Sequence, residues 1–81
     1  MLYEIVFRGL TVDRDDVEDA LIEEFAAESQ EPVTGAGTGT GGCHLDLELP
    51  DDLIEDAAIE RIQRVLAELD VLDVARIIPR P

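Results

Sequence analysis

There is no lysine and no tryptophan in these 81 residues, one cysteine, and three aromatic side chains in all. Each scarcity excludes something. A single cysteine rules out an internal disulfide and a cysteine-based zinc site. With so few aromatics the core must be built from Leu, Ile, Val and Ala. No apolar run approaches the ~20 residues of a membrane span. The start, Met1-Leu2-Tyr3-Glu4, carries neither the basic residues nor the long apolar stretch of a secretory leader, which points to a cytoplasmic protein. Positive charge is scarcest of all. Six Arg stand against 20 acids, for a formal net charge of −14. A field of that sign repels nucleic-acid backbones and anionic membranes, so direct DNA, RNA or membrane binding is not expected. A basic protein partner, a metal cation or a salt-rich cytoplasm is the natural counterpart.

Apolar residues make up 46% of the chain, enough for a packed core and too many for a disordered polyanion. The length allows one domain, residues 1–81, that buries about 60–65% of its unfolded surface. Within it, Tyr3, Ile5 and Phe7 alternate with Glu4, Val6 and Arg8, the period of a half-buried strand over residues 2–8. Asp13 is placed to cap a helix, with Asp15 and Asp16 in the first turn, where the helix dipole favours anions. Val17, Ala20, Leu21 and Phe25 carry that helix to about Glu28, and Pro32 prevents continuation. Over residues 33–42 Gly and Thr then alternate nearly throughout. This predicts a short, irregular edge strand with its turn at Gly41-Gly42. In the following strand Cys43, Leu45, Leu47 and Leu49 point one way and His44, Asp46 and Glu48 the other, so the two form a hairpin. Pro50 closes it, and Asp51 or Asp52 caps a second helix to about Leu69. Ile54, Ala58, Ile62, Val65, Leu66 and Leu69 form its apolar face, and Glu60 and Arg64 form an i,i+4 pair. Residues 71–78 make a last strand, ended by Pro79 and Pro81.

The order β-α-β-β-α-β resembles the ferredoxin-like α+β sandwich over the whole chain. That implies a four-stranded antiparallel sheet in the order 4-1-3-2 with both helices on one face. Strand 3, with an unbroken inward apolar row, belongs in the centre, and the Gly-rich strand 2 belongs at an edge. The fold by itself assigns no activity.

Three constellations are candidates for function. The first is the acidic first helix. Residues 13–28 hold eight acids and one Arg, and Asp19/Glu23 and Glu24/Glu28 are like charges at i,i+4, which oppose helix formation. The ridge Asp15, Asp16, Asp19, Glu23 and Glu24 is the candidate surface for a basic partner. The second is the edge strand. Gly35, Gly37 and Gly39 leave one face bare, so that a helix or a partner backbone can come close, and the exposed edge amides of Gly35, Gly37, Gly39 and Gly41 invite strand addition by a partner or a second copy. A phosphate loop is excluded, because a strand follows these glycines where a phosphate loop needs a helix. The third is the outward row His44, Asp46 and Glu48, with Glu4 expected beside it on the first strand. A divalent cation or a small ligand could be held there, or a proton-transfer site built. Outward polar residues are nonetheless the normal dress of a sheet with one wet face. Cys43 and His44 do not form a nucleophile pair, since strand neighbours point to opposite faces.

The stretch Gly-Thr-Gly-Thr-Gly-Gly-Cys-His-Leu-Asp-Leu-Glu-Leu (37–49) resembles a pattern found in short bacterial proteins of the immunity type, encoded beside secreted toxins. The resemblance implies a protein that binds and blocks a toxin domain, often a basic nuclease, and transfers no residue role. The expectation is therefore a non-enzymatic acidic interaction protein, with no cofactor, that binds a basic partner as an inhibitor or immunity protein does. The alternatives are a regulatory domain that dimerises through its sheet face or edge strand and takes a ligand or metal on the open face, a small enzyme using that face, and a salt-adapted protein of another role.

Overall fold

The computed structural model describes residues 1–39 and 41–80. Its elements are β1 (Leu2–Arg8), α1 (Arg14–Glu24), β2 (Val33–Gly39), β3 (Gly42–Glu48), α2 (Glu55–Glu68), a 3-10 turn (Leu72–Val74) and β4 (Ala75–Arg80). The four strands form one antiparallel sheet in the order β2-β3-β1-β4, the ferredoxin-like arrangement. β1 and β3 are central, and the Gly-rich β2 lies at an edge with an irregularity between Val33 and Gly35.

Alternation places the core where the pattern puts it. Tyr3, Ile5 and Phe7 of β1 and Leu45 and Leu47 of β3 are buried beneath Val17 and Leu21 of α1 and Ala58, Ile62, Val65 and Leu66 of α2, with Phe25 and Leu49 beside them. Cys43 is half-buried against the same cluster.

Element ends differ from the sequence pattern in several places; Gly42, expected in the turn, opens β3. Helix α1 stops at Glu24; residues 25–28 form a looser turn, in which Glu28 N–H donates to the Phe25 carbonyl. Glu23, Glu24 and Glu28 oppose the negative end of the helix dipole there, and no basic residue of α1 offsets them. Helix α2 is preceded by Ile54 as its N-cap residue, not by Asp51 or Asp52. Asp51 instead pairs with the Met1 ammonium at 2.7 Å, which also donates to the Leu49 carbonyl. Residues 71–74 are not strand. Asp70 adopts φ 60°, its N–H donates to the Ala67 carbonyl, and Val71 N–H reaches back to the Leu66 carbonyl. This is a Schellman closure with Val71 and Leu66 both buried. Glycine usually marks such a closure, and Asp70 hides it. Finally, Pro79 lies inside β4, where an edge strand tolerates the missing N–H; Pro81 lies outside the described residues.

Candidate functional site: two faces of one sandwich

Ionic contacts divide the molecule. In the helical layer Arg61 of α2 is the hub. Its Nε donates to Glu24 Oε2 at 2.8 Å, its Nη1 to Glu28 Oε1 at 2.7 Å, and its Nη2 to the Glu24 backbone carbonyl at 2.7 Å. Its guanidinium also lies 4.5 Å from the centroid of the Phe25 ring. Arg61 thus supplies the cation that the end of α1 lacks. It holds the Glu28 carboxyl below the usual range by hydrogen bonding, and these two glutamates raise its own pKa in turn. Arg64 adds a longer contact to Glu24 at 3.8 Å, in place of the Glu60 pairing expected from spacing.

Of the acidic ridge, Asp15, Asp16, Asp19 and Glu23 are exposed and follow one another at i,i+3 and i,i+4 along α1. Glu24 is half-buried and committed to Arg61. The ridge offered to solvent is therefore shorter than the spacing suggested, and Glu24/Glu28 is a bridged pair, not an open repulsion.

The other face of the sheet is uncovered. Register puts Leu2, Glu4, Val6 and Arg8 of β1 there, with Gly42, His44, Asp46 and Glu48 of β3 and Arg76, Ile78 and Arg80 of β4. Glu4 pairs across with Asp46, and Val6 with His44. Glu4, His44 and Asp46 bring ligand atoms within 4.8 Å of one another; Glu48 is not part of that group. Arg80 donates to Glu4 and is the main reason its carboxyl titrates below the ordinary glutamate value. A shallow depression of about 270 Å³ lies beside the group, lined by Glu4, Val6, Arg8, Gly39, Gly42 and His44 among others.

The role of the edge glycines is also visible. A Cβ on Gly37 would stand 2.5 Å from His44 Cε1, and one on Gly35 would stand 2.8 Å from Asp46 Oδ2. The close approach permitted by the bare strand is used by the chain's own imidazole and carboxylate, which lean over β2 from β3. No helix occupies that space. Gly39 lies at the strand end and Gly41 in the turn, at φ 77°.

Sequence spacing missed the Arg61 hub, since its partners lie 33 and 37 residues away. It also missed the gathering of Arg8, Arg76 and Arg80 on the open face. The signal for the second was present, as all three occupy the outward register of their strands. No helix among the described residues is long and apolar enough to cross a membrane. Comparison with models of known protein families, with curated proteins and with solved structures gives no match.

Proposed function

We propose that this chain is a non-enzymatic interaction protein whose helical face engages a basic protein partner, in the manner of a small inhibitor or immunity protein. One observation carries the reading: the net charge is confined. The open sheet face holds three acids (Glu4, Asp46, Glu48) and three Arg (Arg8, Arg76, Arg80). The remaining 17 acids and three Arg, and with them the whole formal charge of −14, lie on the helices, the loops and the margins. On that side Asp15, Asp16, Asp19 and Glu23 stand exposed without ion-pair partners among the described residues. Such a field speeds encounter with a basic surface and sets its orientation.

The test is charge reversal of exposed ridge positions only. The triple variant D15K/D19K/E23K spares Glu24 and therefore the Arg61 hub. It exchanges the acid–acid repulsions at 15/19 and 19/23 for Lys–Lys ones at the same spacing, but creates Lys–acid neighbours with Asp16 and Glu18 and lowers the overall negative charge, so its melting temperature should stay close to the parent's. Immobilised parent should capture basic proteins from the lysate of its own cell and release them as salt rises, and the variant should not. If the captured proteins are not basic, or the variant retains them, the acidic ridge is a solvated surface and the reading fails.

A further inference from the structure

We propose that the open sheet face is a self-association surface on which a second copy of the chain packs face to face. Two bodies of charge −14 repel each other, so the copy can be approached only where the charge is absent. The open face is that place. Its acids and Arg balance, and Leu2, Val6 and Ile78 supply half-buried apolar surface between them. Asp73 stands only at its margin, beside Arg8 and Arg76.

The charges on this face are also arranged to suit a copy. Asp46 and Glu48 sit on β3 towards the Leu2 end, and Arg76 and Arg8 sit on β4 and β1 towards the opposite end. None of these four has an ion-pair partner among the described residues, whereas Glu4 and Arg80 satisfy each other. A two-fold axis lying in the interface and perpendicular to that diagonal sets the Arg corner of each copy against the acidic corner of the other. Isologous contacts require this self-complementarity.

The competing arrangement is edge to edge through β2, whose residues Val33–Gly39 carry no charge and no proline. It brings α1, the helix with contacts to β2, towards the α1 of the copy, ridge towards ridge. Face-to-face packing instead puts the helical layers on opposite outer surfaces. They are then separated by more than the ~10 Å between stacked sheets, and so by more than the ~8 Å Debye length at physiological salt. The face is small. Four strands about 4.8 Å apart and seven residues at about 3.4 Å each give a footprint of roughly 450 Å² per copy. The pair therefore sits at the low end of specific interfaces, and the association belongs to the micromolar-to-millimolar range.

Sedimentation equilibrium from about 10 μM to 1 mM protein tests this. The parent should pass from monomer to dimer and stop there. Its association constant should rise between about 0.01 and 1 M salt, as the Debye length shrinks from roughly 30 to 3 Å. Val6→Glu, at the centre of the face, and Arg76→Glu, at an exposed position whose folding does not depend on packing, should each weaken association more than about tenfold. Ala36→Lys on the β2 edge and Ile22→Glu on the helical face should leave it unchanged. A parent monomeric throughout, a dimer that survives Arg76→Glu, or a dimer lost in Ala36→Lys would each overturn the proposal. None of these measurements involves a basic partner, so the helical-face reading stands or falls separately.

Discussion

The helical layer and the open sheet face are built from the same short chain, yet they handle charge in opposite ways. On the helices acids far outnumber Arg, and Arg61 acts as a structural tie that draws Glu24, Glu28 and the end of α1 onto α2. On the sheet face the numbers match, and Arg8, Arg76, Asp46 and Glu48 have no ion-pair partner among the described residues. Net charge is therefore a poor description of this molecule. What a partner meets depends on the side from which it approaches.

The sharpest contrast is between neighbours in β3 that face these two worlds. Leu47 is fully buried beneath the helices and Glu48 is exposed on the open face. Leu47→Ala should cost about 2–5 kcal/mol, whereas Glu48→Ala should stay within about 0.5 kcal/mol, both read from denaturant midpoints. Equal costs would show that Leu47 and Glu48 do not face a core and a solvated side, and inverted costs that the two faces of β3 have been exchanged.

Arg61 comes next. Arg61→Met keeps the aliphatic stem and removes the cation, leaving Glu24 and Glu28 as a true like-charge pair; a loss of about 1–3 kcal/mol is expected. The same tie has a pH signature. The Glu28 carboxyl is held below its ordinary value of 4.5 by Arg61. A depressed folded-state pKa contributes stability that is present above the unfolded value and is lost as pH falls through the folded one. The difference in melting temperature between the parent and Glu28→Gln should therefore be full above about pH 4.5 and shrink progressively below it. A difference that grows on acidification would mean that the tie is not ionic.

A smaller effect separates the layers by salt. Repulsion among the exposed acids of the helical side should raise the melting temperature as salt goes from about 10 mM to 1 M. D15K/D19K/E23K should flatten that rise and Arg76→Glu should steepen it. Identical slopes in all three proteins would show that the charges are not segregated in effect. A small change is also expected at Gly37. An alanine there meets only the tip of the His44 ring, which can swing away, so Gly37→Ala should move stability by less than about 1 kcal/mol while shifting the His44 ring resonances. A large loss would mean that the imidazole is fixed in place by something more than the bare floor beneath it.

Periodicity carried most of the architecture because it is local. The alternation of Tyr3, Ile5 and Phe7, the Leu45–Leu47–Leu49 row, the apolar stripe of α2 and the unprotected Gly-rich edge can all be read from neighbours two to four residues apart. Those suffice for the element order and the buried faces; the sheet order followed from the resemblance of that element order to the ferredoxin-like sandwich. The ends of elements were less legible, since they turn on local exceptions. Asp70 adopts the left-handed conformation usually left to glycine, and Asp51 is taken by the chain's amino terminus instead of a helix. The candidate surfaces were half legible: the ridge and the outward row are spacing patterns, and both were changed once the layers met. Only the tertiary structure committed Glu24 to Arg61, laid His44 and Asp46 over Gly37 and Gly35, and gathered Arg8, Arg76 and Arg80 onto one balanced face. These contacts join residues far apart in the chain, as Arg80 and Glu4 are at 76 positions. Spacing within a single element cannot specify which distant charges strand register and helix packing will bring together.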